Sequence, residues 1–389
     1  MKQGWEIKML SEIGKVYNGN SINEKVKKDN YADLEDGFPF IATKDISYES
    51  VIDYENGIKI PFEEKSSFKT ALKNTVLICA EGGSAGRKIG FTNQEVCFGN
   101  KLFAIATNKN IESRYVYYYY FSETFQKHFA VELAGIIGGV SMNKFKDLEI
   151  PLPPLSEQQR IIAILDEVFA AIAKAKANAE QNLKNAEELF ERTKNEIFER
   201  LEGDKVLIAS VCNEIFAGGD APKDYSKEKS EKHNIPIIAN AVKDNGLYGY
   251  SNKERVSLPS ITIAARGSGT GHTEIRYEPF FPIVRLIVLT PNPKMITLEF
   301  LKYSVQNLYI LSSGSAIPQL TVPMLKEYSI SLPSLNEQQS IVKKLDALSL
   351  EIKKLEAIYK QKINDLEELK KSVLQKAFSG ELKTVKEVV

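Results

Sequence analysis

At 389 residues, 43% of them apolar, the chain is long enough for two or three domains with packed cores and is no small scaffold in need of staples. Its 51 basic and 51 acidic residues cancel, which argues mildly against a protein held on nucleic acid by bulk charge, so polyanion binding has to come from local patches or be shared with a partner subunit. Cys79, Cys97 and Cys212 show no CxxC spacing, which excludes a disulfide framework and a zinc finger, and the most apolar stretch, from Phe280, is short and broken by Arg285, so no membrane span is expected and the cytoplasm is the natural setting.

The first half opens as mixed α and β structure. Phe38-Pro39-Phe40-Ile41-Ala42 and the β-branched run Thr75–Ala80 read as strands, the second ending in the glycine loop GGSAG from Gly82. VYYYYFSETF from Val116 reads as helix, and its tyrosines reach all sides of that helix, as core and packing residues do.

Then comes a proline-rich gate, IPLPPLSEQQRIIAILDEV from Ile150, followed by a long helix. In Ser156-Glu157-Gln158-Gln159 the serine precedes a glutamine by three positions, the capping-box pattern, and Glu157 places negative charge in the first turn. Apolar residues step by four and three through Ile161, Leu165, Val168, Ile172, Ala175, Ala179, Ala186 and Leu189, a coiled-coil seam. The alanines from Ala170 to Ala179 favour helix and also allow close approach of another helix.

The second half repeats this order. Ile235-Pro236-Ile237-Ile238-Ala239 corresponds to the Phe38 block, and Ile261–Ala265 leads into the glycine loop GSGTG from Gly267. FLKYSVQNL from Phe300 reads as helix, and the gate returns as ISLPSLNEQQSIVKKLDAL from Ile330, an offset of 180 residues. Asn336 and Gln339 repeat the capping pattern, and the seam runs through Ile341, Leu345, Leu348, Ile352, Leu355, Tyr359, Leu366, Leu369 and Val373. Gly203 and Gly380 are the expected stops, giving helices of roughly 40 to 45 residues, or about 60 to 70 Å. An exposed single-stripe helix needs a partner, and the other copy is the obvious one, paired antiparallel.

Neither glycine loop is a Walker A motif: Arg87 and Lys88 follow Gly86 without a hydroxyl residue next, and Gly271-His272-Thr273 has no lysine. The loops are tight turns, or places where small residues let the backbone approach a phosphate or groove edge. On the second reading the residues that contact DNA are Lys44, Ser84, Arg87, Lys88 and Lys101 in the first half and Arg266, Ser268, Thr270 and His272 in the second, since arginine grips guanine and hydroxyls reach bases or phosphates. His128, His233 and His272 form no ligand pattern, and no catalytic or metal motif is legible.

The doubled gate with EQQ and a long helix, together with LQKAFSGEL from Leu374, closely resembles the specificity (S) subunit of Type I restriction–modification systems. The resemblance covers essentially the whole chain; the end of the first helix, IFERLEG from Ile197, matches the C-terminal signature less well. It implies an α+β fold: two similar target recognition domains of mixed α/β structure, 1–155 and 204–335, separated by two long antiparallel coiled-coil helices, 156–203 and 336–380, with a tail at 381–389. It further implies a non-catalytic DNA-binding subunit that reads a bipartite duplex site and recruits two methyltransferase (M) subunits and restriction (R) subunits. S-adenosylmethionine, ATP and Mg are then expected on the partners and no cofactor in this chain. The alternatives are a single-chain restriction or modification enzyme and a helical adaptor scaffold.

Overall fold

The computed structural model describes residues 3–31, 34–135, 138–267, 269–308 and 319–382. Contacts divide the chain into two compact units, Met1–Glu180 with Gln361–Val389, and Gln181–Lys360. Each is α+β.

In the first unit Glu6–Met9 pairs antiparallel with Glu149–Leu152, Glu6 opposite Leu152, so the entering and leaving strands lie side by side. Between them a four-stranded antiparallel sheet runs in the order Gly14–Asn18, Leu102–Thr107, Val76–Cys79, Ile89–Phe91. The run at Val76–Cys79 is unbroken because both of its faces are buried. Val76 and Ile78 join Ile105 and the aromatic helices Ser113–Tyr119 and Glu123–Val131. Leu77 and Cys79 point the other way, into a second core with Ile41, Val96 and Phe98 of a further sheet ordered Ile58–Ile60, Phe38–Ile41, Val96–Phe98, Thr70–Ala71.

The tyrosine row is core. Tyr115, Tyr118, Tyr119 and Tyr120 are buried, and two of them reach the gate strand: Tyr115 donates to the Pro151 carbonyl at 2.6 Å and Tyr119 to that of Glu149 at 2.9 Å.

The second unit repeats the plan except at one edge strand of the second sheet, Thr70–Ala71 beside Val96–Phe98 in the first unit and Tyr225–Ser226 beside Leu247–Ser251 in the second. Asp204–Leu207 pairs with Ser329–Leu332; one sheet runs Cys212–Ala217, Ile287–Pro291, Ser260–Ile263, Thr273–Arg276; the other runs Tyr225–Ser226, Leu247–Ser251, Ile235–Ile238, Phe281–Pro282. In both units one pair of the second sheet is parallel, Phe38–Ile41 with Val96–Phe98 and Ile235–Ile238 with Phe281–Pro282.

The long helices span Leu155–Glu199 and Leu335–Ser379, 45 residues each. Each contributes one part to each unit, and within either unit the two segments pair antiparallel. In the first, Ile161, Leu165, Val168 and Ile172 share a core with Val373, Leu374, Ala377 and Phe378. Lys176 Nζ bonds Glu367 Oε1 at 2.6 Å and Arg160 Nη2 bonds the Leu382 carbonyl at 3.1 Å. Phe378 sets its ring edge-on against Tyr115 and Tyr119. In the second, Phe198 and Leu201 pack with Ile341 and Val342, and the Phe198 ring lies 5.7 Å from that of Phe300.

Several expectations need correction. The helices begin at Leu155 and Leu335, so Ser156 and Asn336 lie inside them and neither caps, and Gln159 and Gln339 close no capping box. In the second copy the box stands two residues earlier: Ser334 N–H donates to Glu337 Oε2 at 3.0 Å and Glu337 N–H to Ser334 Oγ at 3.4 Å. In the first copy the Pro154 carbonyl accepts the N–H groups of Glu157 and Gln158. The first helix stops at Glu199, and Gly203 does not cap it; a Cβ there would fall 2.9 Å from the Leu332 carbonyl, so its role is close strand approach. Gly380 does cap the second, with φ +80° and the Glu381 N–H returning to the Lys376 carbonyl at 2.9 Å.

Along the seam Ile161, Leu165, Val168, Ile172, Leu345 and Ile352 are buried and Ile341 and Leu348 half-buried, whereas Leu355 is 37% exposed and Leu189 51%. A helix of 3.6 residues per turn drifts by roughly 20° per heptad from a 3.5-residue stripe, so a stripe of strict period leaves the interface along so long a rod. Of the alanines from Ala170 to Ala179, only Ala179 is buried, which favours the helix-propensity reading for the rest.

Candidate nucleic-acid interface

The two glycine loops share glycine torsions and turn bonds at matching positions. Gly82 and Gly267 have φ of +83° and +82°, and Gly86 and Gly271 φ of +71° and +92°. The Gly86 N–H donates to the Cys79 carbonyl at 2.8 Å and the Gly271 N–H to the Ala264 carbonyl at 2.9 Å; the Ala85 N–H reaches Gly82 and the Thr270 N–H reaches Gly267. The hairpins then diverge, since the Cys79 N–H donates to the Lys88 carbonyl at 2.9 Å and the Ala264 N–H to the His272 carbonyl at 2.9 Å, so Arg87 and Lys88 follow Gly86 where His272 alone fills the shorter turn after Gly271.

In the first unit four of the candidates converge. Arg87 lies over the Tyr48 ring at 5.0 Å and Lys88 at 5.3 Å, while the Tyr48 hydroxyl meets Ser84 Oγ at 3.2 Å. Lys88 Nζ also donates to the Thr43 carbonyl at 3.0 Å, next to exposed Lys44. Lys44 stands 3.9 Å from Asp45, whose carboxyl burial pushes upward while the Ala42 N–H opposes. Lys101 stands outside this cluster, 3.9 Å from Glu81. Tyr48, 53% exposed, was missed from the sequence, because an isolated tyrosine before a turn carries no pattern.

In the second unit Arg266 Nη2 bonds Gln319 Oε1 at 3.3 Å, Thr270 Oγ1 donates to the Gly267 carbonyl, and His272 Nε2 lies 3.1 Å from Glu274 Oε1. Ser268 lies outside the described residues. Asn240 ties the loop to the second sheet by donating to the Arg266 carbonyl and accepting the Ala265 N–H. Two features were not foreseen. Lys227 Nζ sits 3.6 Å from the Tyr248 ring centre, beside Tyr225. A cavity of about 800 Å³ is lined by Lys229, Tyr250, Tyr277 and Arg276, and Arg276 donates to the Asn245 carbonyl at 2.7 Å. Burial lowers the Arg276 pKa, and Glu274 opposes the shift.

Each recognition fold is also fastened to its long helix by polar groups. Gln158, 1% exposed, accepts the Glu112 N–H at 3.0 Å and donates to the Pro153 carbonyl at 2.9 Å. Gln338, 0% exposed, accepts the Thr297 N–H at 2.8 Å and donates to the carbonyls of Met295 and Pro333. Two turns on, the Tyr118 hydroxyl donates to Asp166, which Arg114 also contacts at 2.6 Å, and the Tyr303 hydroxyl donates to Asp346 at 2.6 Å. Gln159 adds a bond to Glu112 Oε1, and Gln339 lines a shallow groove with Thr297 and Asp346.

Among the described residues no group of His, Cys, Asp or Glu is arranged to hold a metal ion, and no helix is long and apolar enough to cross a membrane. Residues 2–184 and 205–368 match the family model of the Type I restriction modification DNA specificity domain. The chain belongs to that family.

Two relatives in Mycoplasma pneumoniae are described as type I specificity subunits. One is 32% identical over 62% of this chain and 74% of its own length, the other 30% identical over 52% and 55%. The match thus spans about half the length of the latter. The Type I restriction enzyme MjaIX specificity subunit of Methanocaldococcus jannaschii is 21% identical over 97% of this chain and 94% of its own. Among solved structures, a chain from work on complex assembly and conformational transition of the type I R-M system superposes with a TM-score of 0.82 at 19% identity, covering 98% of this chain and 99% of that one. The HsdS subunit from Thermoanaerobacter tengcongensis gives 0.62 at 20%, covering 98% of each. Those two likenesses establish the fold.

Proposed function

We propose that this chain is the specificity subunit of a Type I restriction–modification complex and reads a bipartite duplex target, one half-site with each unit. The observation that carries this reading is a repeated loop with matching glycine torsions and turn bonds, closed one residue shorter and carrying different side chains in the second copy. A doubled scaffold with two side-chain sets suits two different half-sites. In the first unit Arg87, Lys88 and Ser84, gathered on Tyr48, contact the duplex, joined by Lys44 and Lys101; in the second, Arg266, Ser268, Thr270 and His272 do so.

The paired helices act as a ruler. Forty-five residues extend roughly 68 Å at about 1.5 Å per residue, which exceeds the about 34 Å of one DNA turn and so is long enough to reach across half-sites about one turn apart. The recognition domains are 1–155 and 204–335. Two M subunits, carrying S-adenosylmethionine, and R subunits, using ATP and Mg, supply the chemistry and much of the phosphate contact that a chain of zero net charge lacks. The complex works in the cytoplasm, where its DNA lies.

Exchange of residues 205–329 for those of a relative with a different target tests the modular reading. Methylation mapping of the hybrid is expected to show one half-site replaced and the other retained. Replacement of both halves together would refute it.

A further inference from the structure

The link between each recognition fold and its helix is a short gate, Pro153-Pro154 or Pro333-Ser334, and backbone alone would let the fold swivel there. Two polar anchors cross that joint in each unit, and they have the same relation to the same element. Gln158 takes the N–H of Glu112, the N-cap residue of Ser113–Tyr119; Gln338 takes the N–H of Thr297, the N-cap residue of Leu298–Gln306. Six residues into each of those helices stands a tyrosine, Tyr118 or Tyr303, which donates to Asp166 or Asp346 of the long helix.

One short helix is thus fastened at two points to one long helix, twice over. The anchors on the long helix are eight residues apart in both copies, about 12 Å along one stripe. A single fastening permits rotation about itself; two at this separation fix a direction. Apolar neighbours such as Ile161, Leu165 and Leu345 hold the surfaces together, yet apolar contact is non-directional and tolerates sliding. The buried glutamine amides and the half-buried tyrosine hydroxyls beside them penalise other angles, because a misaligned joint leaves those polar groups unpaired.

We propose that Gln158 with Tyr118–Asp166, and Gln338 with Tyr303–Asp346, are positioning residues that fix the angle between each recognition fold and its helix, and so set which gap between half-sites is accepted. The inference rests on the bipartite reading above and adds that the helices alone do not set the gap. Their length supplies a separation, and the anchored joints remove the angular play that would let neighbouring gaps through.

The test uses the full chain assembled with its methyltransferase subunit. Adenine methylation is measured on duplexes bearing the wild-type half-sites with the native gap and with gaps one base pair shorter and longer. Tyr303→Phe deletes one hydroxyl and keeps the ring; Gln338→Met keeps the volume; the two are made singly and together, with thermal melts of each. For the double variant, discrimination between native and altered gaps is expected to fall about tenfold, the factor that a lost hydrogen bond to a charged group carries. Rejection of altered half-site bases is expected to stay as in the wild type. Unchanged gap discrimination, in a variant that melts lower, overturns the inference and leaves the anchors as ordinary stabilising contacts. If the double variant does not assemble, Tyr303→Phe alone is read by the same criterion. A wild-type complex indifferent to the gap overturns the bipartite reading itself, which distinguishes the two failures.

Discussion

Gly86 holds its loop under two constraints at once: its φ is +71°, and a Cβ placed on it would meet the Phe129 ring at 2.7 Å. Gly82, with φ +83°, has nothing within 4 Å of that position. Gly86→Ala is therefore expected to destabilise the protein by about 2 to 3 kcal/mol and Gly82→Ala by about 1 kcal/mol. Chemical denaturation checks this, and equal costs at the two sites would contradict it. Burial pushes the Tyr118 and Tyr303 hydroxyls far above their ordinary value of 10.0, and their aspartate partners push in the same direction. A group whose folded value lies above its unfolded one contributes fully below the unfolded value, so stability is expected to hold up to about pH 10 and to fall as pH rises beyond it. Melts across that range for the wild type and Tyr303→Phe measure it; an identical alkaline loss in both would contradict a role for this hydroxyl. Tyr118 was legible as core from a tyrosine row that reaches all sides of one helix; Tyr303 was not singled out. Their aspartate partners were not, since Tyr118 and Asp166 are 48 residues apart and only tertiary structure joins them.

At the scale of elements, the gates, the long helices and the strands before the glycine loops could all be read from periodicity and turn chemistry. The helix starts could not be placed to the residue. Ser156-Glu157-Gln158-Gln159 satisfies the capping template, yet the helix begins at Leu155 because Gln158 turns into the fold to bond Pro153 and Glu112, which requires helical backbone before it. The same applies to Gln338 behind Ser334. Leu189, Leu355 and Leu369 have the seam's spacing and lie exposed, since a straight helix carries the stripe away from its partner. A ruler made of two helices has to be lengthened in both. One turn inserted after Lys176, with a matching turn inserted before Leu366 so that Lys176 can still meet Glu367, is expected to change the accepted gap and keep both half-site sequences. Methylation mapping reads the result, and an unchanged gap would count against the helices as spacer.

At the scale of the molecule, the duplication visible at an offset of 180 residues is matched in the sheets of the two units, save one edge strand in each second sheet. The unit boundaries fall inside the long helices, after Glu180 and after Lys360, so each helix belongs to both units. Sequence divides this chain into folds and helices by composition, whereas packing groups each fold with the helix segments it covers. The Tyr48 cluster in the first unit and Lys227 with its two tyrosines in the second have no counterparts in each other, which is why repetition could not reveal them. What the duplication predicts for the whole is a chain that recognises two sequences at one fixed gap and does no chemistry itself. Methylome sequencing of cells that carry this chain with its methyltransferase subunit tests that most directly. The account predicts adenine methylation at a single motif made of two short specific blocks with an unspecified gap of constant length between them. Methylation confined to one uninterrupted motif, or blocks joined by gaps of varying length, would contradict it.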